Sequence, residues 1–308
     1  MRVAGIRGFS GDVETVEVGD PRPVAADEVL IDVRAAGVGN WDEIVRTKGW
    51  DVGVSPPMAL GVEAAGIVSA VGADVSGFGV GDEVLCHPVP LRDQGGWAPR
   101  LIAPVGSIAS KPSNMSWDIA GVFPIPALTA EQVISEALAL QSGETLLVHG
   151  AGGTTGGMMV QLAVQLGADV IATCSQRSAS RVRSYGACAV IDYHESGWPQ
   201  TVRALCNGKG VQAVANAAIG GAATAMTTLV DGGRLATITS DPPTAGREIT
   251  VTNVYVRSDG PQLNRLAAWF GRHELSMPSP RRCGIDDAAA ALAQVVAGEA
   301  TGGIVIAP

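Results

Sequence analysis

A nine-residue stretch, HGAGGTTGG at 149–157, constrains this chain more than any other feature. It follows the apolar run TLLV and precedes a segment in which Met158, Leu162, Val164 and Leu166 fall at helical spacing. The stretch therefore joins the end of a strand to the start of a helix. Gly150, Gly153 and Gly156 stand three apart, and Gly152 makes a further G-x-G pair with Gly150. Such a turn needs backbone angles that a Cβ penalises, and it lets the chain approach a pyrophosphate closely. The helix start then offers unpaired N–H groups, here those of Thr154, Thr155 and Gly156, and a partial positive charge. A purely structural turn is the alternative; the strand–loop–helix context favours a nucleotide.

Downstream the alternation continues. DVIAT (169–173), CAVID (188–192), VQAVANA (211–217), GRLATIT (233–239) and EITVTNVYV (248–256) read as strands, and a basic helix is expected over 178–185. Strands alternating with helices predict a doubly wound parallel sheet. The first 118 residues differ: short β-type runs at 29–35, 66–71 and 83–87 are broken by Gly and Pro. An Ala-rich helix at 286–297 and a strand at 302–306 come last.

A site for NAD commonly ends the second strand with Asp or Glu, which binds the ribose hydroxyls. Here that strand runs into Thr173-Cys174-Ser175-Gln176-Arg177, with no acid. Ser175, Arg177 and Arg181 suit a 2′-phosphate, which selects NADPH; a solvated basic helix start is the alternative. No G-x-x-x-x-G-K-[ST] or G-x-S-x-G string occurs, so neither an NTPase loop nor a nucleophile elbow is present. Tyr185, Tyr193 and Tyr255 all lack the lysine four residues on that a short-chain dehydrogenase needs.

At 308 residues the chain is long for one core and comfortable for two domains. Its net charge is −9 and no Lys/Arg cluster is evident, which disfavours a nucleic-acid partner. The longest uncharged apolar stretch, 119–130, contains two prolines and falls short of the ~20 residues of a membrane helix. Cys86, Cys174, Cys188, Cys206 and Cys283 are scattered, and no CxxC or apolar signal core is present. The expectation is a cytoplasmic protein with free thiols and no membrane partner.

Several segments together resemble the medium-chain dehydrogenase/reductase superfamily, in its zinc-independent quinone oxidoreductase (zeta-crystallin-like) branch. GVEAAGIVSAVGADVSGFGVGDEV (61–84) is similar to that family's G-x-E-x-A-G signature segment, and GVGNWDEIVRTKG (37–49) to another. GGWAPR, PALTA (126–130), LVHGAGGTTGG, GACAVIDY and DGGRLATI follow in the family's order. The resemblance implies an α/β chain: a GroES-like, β-rich catalytic domain (1–120 and 271–308) plus a Rossmann NADPH-binding domain (121–270). It implies a homodimer through Rossmann edge strands, here 248–256, and puts Tyr193 near the adenosine phosphate and Thr129 near the nicotinamide.

Zinc-bearing members take ligands where this chain has Gly39 and Val62, and only Glu63 of that pattern survives, so no metal is expected. Without a Lewis acid, the expected reaction is hydride transfer from NADPH to a quinone or an activated C=C bond (enone). Asn40 would donate to a carbonyl, Asp42 would orient its segment, and Trp41 and Trp50 would wall the acceptor pocket, ordinary packing being the alternative for the two indoles. Two other functions stay open. One is an enoyl-thioester or biosynthetic tailoring reductase; the other is a non-catalytic NADPH-binding sensor or structural protein.

Overall fold

The computed structural model describes residues 1–300 and 302–308. In chain order the elements are β1 (Arg2–Ile6), β2 (Glu14–Glu17), β3 (Glu28–Val38), α1 (Asn40–Arg46), β4 (Met58–Ala59), β5 (Ala64–Val71), β6 (Glu83–Cys86), β7 (Arg100–Pro104), β8 (Ile108–Ser110), α2 (Trp117–Val122) and α3 (Pro124–Glu131). The strand–helix alternation follows: β9 (Thr145–His149), α4 (Thr154–Gln165), β10 (Asp169–Cys174), α5 (Gln176–Ser184), β11 (Ala189–Asp192), α6 (Trp198–Leu205), β12 (Val211–Asn216), α7 (Ala222–Met226), β13 (Leu229–Thr237) and β14 (Thr250–Asn253). Last come α8 (Gly260–Gly271), β15 (Arg281–Gly284), α9 (Ala288–Val296) and β16 (Ile304–Ala307). The chain packs as two compact units, Met1–Leu128 with Arg257–Pro308, and Thr129–Val256.

The first unit is β-rich. Its long strand β3 alternates buried Val29, Ile31, Val33 and Ala35 with outward Leu30, Asp32 and Arg34, the period-2 pattern of a half-buried strand. It pairs antiparallel with β5, β7 and β16 in a seven-stranded sheet ordered β15-β16-β3-β5-β6-β8. A smaller sheet, β2-β1-β4, stands beside it in sequence. The strands β1 and β2, five and four residues long, are too short to stand out from the surrounding Gly and Pro. In α8, Leu263, Leu266 and Ala267 are buried at helical spacing, and the helix lies on β8.

The second unit is a six-stranded, wholly parallel sheet ordered β11-β10-β9-β12-β13-β14. Renumbered within the unit this is 3-2-1-4-5-6, the doubly wound Rossmann order. Its central strands are near-continuous apolar runs because helices cover both faces. On one face Leu147, Ile171, Val214 and Leu235 meet Trp198 and Val202 of α6. The switch in strand order falls between β9 and β12, so the loop after β9 opens at the place where such sheets bind ligands.

Two sequence expectations are corrected. The strand expected over 248–256 is only Thr250–Asn253. Arg247 and Glu248 are left-handed (φ 55° and 57°), so extended pairing starts beyond them, and it stops where β13 ends opposite Asn253. The basic helix begins at Gln176 rather than 178, with Ser175 as its N-cap.

Leu147 is fully buried at the centre of β9. Leu147→Ala is expected to cost about 2–5 kcal/mol by opening a cavity there. The measurement is the urea unfolding midpoint; an unchanged midpoint would contradict this packing.

Candidate functional site

The polar groups of interest fall in two sets, one in each unit. In the first unit, α1 starts at Gly39, whose N–H donates to Asp42 Oδ2 at 2.8 Å. Asp42 is the third helical residue and reaches back one turn, so it caps the helix while being fully buried. Burial pushes its carboxyl up to about 7, against the opposing pull of the Gly39, Gly61 and Val62 amides. Glu63 is also buried and accepts from the Ile125 N–H at 2.8 Å. Its carboxyl is held well above the ordinary range by burial, and the Asp42 charge adds to the effect.

His87 follows β6. Its Nδ1 donates to the Val62 carbonyl at 2.7 Å, which leaves Nε2 as an acceptor. Nε2 is buried without a partner, and burial lowers the imidazole to about 4, so it is neutral at pH 7. The Trp50 ring lies 6.0 Å from it. The Trp41 indole packs over Gly39, where a Cβ would stand 2.1 Å from the ring, and its Nε1 has no partner. Asn40 is exposed at the helix start. Contacts thus link Trp41, Gly39, Asp42, Glu63, Val62, His87 and Trp50, while Asn40 stands at their edge.

This donor set does not fit a zinc ion. Gly39 and Val62 offer no side-chain donor, and Glu63 already accepts from a backbone amide. Among the described residues no three His, Cys, Asp or Glu side chains form a group able to hold a metal.

In the second unit the glycine loop leaves β9 at His149. Gly150 is left-handed (φ 90°), and a Cβ on it would stand 2.9 Å from the Ala217 carbonyl carbon after β12. A Cβ on Gly156 would stand 2.3 Å from the Gly150 oxygen, so only glycine lets the first turn of α4 lie on the loop. The helical ladder starts with Gly157 N–H to Gly153 O at 2.9 Å. The N–H groups of Thr154, Thr155 and Gly156 precede it and stand open to an anion. Gly152 and Gly153 complete the loop. These residues fit a dinucleotide pyrophosphate.

Beyond β10, Ser175 caps α5 by position but not by its hydroxyl, and Arg177 is exposed, with no ion pair among the described residues. Arg181, expected beside it, turns back instead. Its guanidinium donates to the Gly152 carbonyl at 2.8 Å and so braces the glycine loop. Tyr193 is exposed after β11, its ring 4.1 Å from His194. Thr129 is buried in α3.

Sequence reasoning missed a polar set at the carboxyl ends of the strands. The Thr173 hydroxyl shares a 2.6 Å hydrogen bond with His149 Nδ1 and accepts from the Gly150 N–H at 3.3 Å. His149 stacks on Trp198 at 4.7 Å, and burial lowers it to about 4. Asn216 donates to the Thr237 and Thr239 hydroxyls, and both hydroxyls donate to Asp241. Burial raises the Asp241 carboxyl, but those two donors together with the Ala222 and Asp241 amides outweigh it and leave it low. The signal was present as T-x-T-x-D after a strand, three polar groups at period 2.

The Asp42 shift sets a pH dependence. Its folded value lies above its unfolded one, so the folded state holds the proton more tightly. Stability from this group therefore falls as pH rises from about 4 to about 7, by up to about 4 kcal/mol. Asp42→Asn keeps an acceptor for Gly39 and removes the charge. The variant should lose less stability than the parent between pH 5 and 8 in urea titrations; equal losses would refute the assignment.

Comparison with known proteins follows the same division. The alcohol dehydrogenase GroES-like domain family matches residues 25–122, and the zinc-binding dehydrogenase family matches residues 154–259, together about two thirds of the chain. Erythronolide synthase EryA2 of Saccharopolyspora erythraea is 34% identical over 202 residues, covering 65% of this chain but only 5% of that protein. The quinone oxidoreductase of Pseudomonas aeruginosa is 31% identical over 206 residues, 65% of this chain and 61% of its own length. The chain thus spans less than two thirds of the curated relatives it matches. Among solved structures, an NAD-dependent alcohol dehydrogenase superposes with TM-score 0.90 at 25% identity over all of both chains. A mycobacterial protein in complex with NADPH superposes with TM-score 0.87 at 26% identity, again over all of both chains. The two matched families, the relatives and the sheet order agree, and the chain belongs to the medium-chain dehydrogenase/reductase superfamily.

Proposed function

We propose that this oxidoreductase uses NADPH to reduce a quinone or the activated C=C bond of an enone, without a metal. The observation that carries the reading is the end of β10. It offers Ser175 and an unpaired Arg177 next to the glycine loop, and the strand end itself carries no acid; the nearby Asp192, at the end of β11, accepts from His194 and from the Gln176 amide. NADPH, when bound, supplies a hydride. The open amides of Thr154, Thr155 and Gly156 hold its pyrophosphate, with Gly150, Gly152 and Gly153 giving close approach. Ser175 and Arg177 take the 2′-phosphate, and Tyr193 covers the adenosine end. Arg181 acts through the loop by fixing the Gly152 carbonyl. Thr129 borders the nicotinamide.

A donor set unsuited to zinc points to acceptors that need no Lewis acid. A quinone or enone takes hydride at carbon, and its oxygen receives the charge by conjugation, to be neutralised by a proton from water. Asn40 donates to that oxygen. Asp42 holds Asn40 in place by capping α1 on Gly39, and Trp41 and Trp50 supply the apolar walls that keep water out. The protein works in the cytoplasm as a homodimer through the β14 edge, on a small-molecule substrate. Identity to the polyketide synthase favours a second reading, reduction of an enoyl thioester, which uses the same groups on a longer substrate.

Two measurements test this. Arg177→Ala should raise the KM for NADPH by about tenfold or more and leave that for NADH unchanged, because only one cofactor loses a charge-assisted contact. Arg181→Ala should raise both by a similar factor. Equal effects of Arg177→Ala on the two cofactors would remove the 2′-phosphate assignment.

The second uses NADPH deuterated at C4 with a quinone and enone panel. Deuterium should appear at the β-carbon of the reduced enone. NADPH binding with no turnover across the panel would leave the sensor reading in its place.

A further inference from the structure

The amino-terminal ends of the parallel strands, away from the glycine loop, surround a cavity of about 420 Å³. Thr145 and Asp169 are the first residues of β9 and β10, and both line it. So do two cysteines from different elements. Cys188 directly precedes β11, is exposed, and donates its thiol to the Val170 carbonyl at 3.1 Å. Cys206 caps the carboxyl end of α6 and is half-buried against the same core cluster as Ala189, the neighbour of Cys188. Both thiols line the one cavity, and α6, which carries Cys206, packs against β11. Burial raises both above the ordinary thiol value, so exchange at either sulfur proceeds through the thiolate fraction that mildly alkaline pH supplies. Nothing in the proposed reductase chemistry uses this pair.

We propose that Cys188 and Cys206 form a thiol–disulfide modification site, open through this cavity to oxidised low-molecular-weight disulfides such as glutathione disulfide. The exposed Cys188, after losing its proton, attacks one sulfur of glutathione disulfide. That S–S bond breaks, a mixed disulfide forms and one glutathione leaves. Cys206, deprotonated in turn, attacks the Cys188 sulfur, forming the internal bond and releasing the second glutathione. The two protons lost by the protein end on the two glutathione thiols. The protein pair gives up two electrons and glutathione disulfide takes them. The bond ties the start of the edge strand β11 to the end of α6, and the segment it closes contains Asp192, Tyr193 and Trp198. Redox state is thereby linked to the far end of the sheet, where Trp198 stacks on His149.

The test uses the whole reduced chain, freed of reductant and incubated with glutathione disulfide at pH 8, then quenched in acid and mapped by mass spectrometry. The expected product is lighter than the parent by two hydrogens and yields one cross-linked peptide joining Cys188 to Cys206. Cys206→Ser should stop at a stable glutathione adduct on Cys188, while Cys174→Ser and Cys283→Ser should leave the cross-link intact. A stable adduct on Cys188 of the unmutated chain with no loss of two hydrogens would overturn the proposal. So would a cross-link between other cysteines, or no reaction of the folded chain.

Discussion

The second unit is registered to one close approach, that of the first turn of α4 against the carbonyl of Gly150. Steric exclusion sets it: a Cβ at Gly156 would lie 2.3 Å from that oxygen, and Gly150 itself needs a left-handed backbone. With the contact made, the helix leaves the sheet at the angle that points its free amides at the loop. Without it, α4 would stand off from β9, and its buried face of Met158, Met159 and Leu162 would lose its seat on the sheet. The same glycine brings the loop within contact of Ala217, so the turn after β12 is placed by the turn after β9. Two residues without side chains thereby align the carboxyl ends of the strands on both sides of the topological switch.

Around that loop the protein supplies mostly neutral donors. His149 is uncharged because it is buried and stacked on Trp198, and its Nδ1 is tied to Thr173. Asn216 stands where an acid would add a negative charge. The Asp241 carboxylate is spoken for by two threonine hydroxyls. Arg181 stops short of the solvent and spends its guanidinium on the Gly152 carbonyl, which fixes the loop instead of meeting the ligand directly. A phosphate arriving at the loop meets dipoles oriented beforehand, which cost no reorganisation when it binds.

What could be read from the sequence followed from strict local rules. The glycine spacing, the short apolar strands and their order all obey one-dimensional constraints: a Cβ that cannot fit, a period of 3.6, a run buried on both faces. The two-unit plan came from a change in texture. Less of the site was legible. Arg177 and Arg181 stand one turn apart on one face of α5, and which of them reaches the Gly152 carbonyl is set by where the loop meets the helix, a tertiary contact; the expected helix start at 178 was also two residues late. The period-2 set Thr237, Thr239 and Asp241 was visible but had no partner in sequence, since Asn216 lies on another strand. Cys188 and Cys206 read as scattered thiols because only the packing of α6 against β11 brings them to one cavity. The start of β14 was set by two left-handed residues that composition does not announce.

The first unit poses a different physical question: what becomes of buried carboxylates when no cation accompanies them. A charge in an apolar interior is costly unless paired, and the usual relief is to take up a proton. Asp42 and Glu63 accept from backbone amides, and the Asp42 charge further opposes ionisation of Glu63. Amide donors stabilise the anion in part, which is why Asp42 settles near neutrality instead of staying fully protonated. His87 provides no counter-charge, since protonating it would bury a second unpaired ion. In the proposed reaction, a site so arranged would present its acceptor with a wall of indoles and uncharged polar atoms. Such a wall suits a conjugated acceptor, whose charge in transit spreads over its own carbon framework and requires little from the protein beyond a dry and ordered place to react.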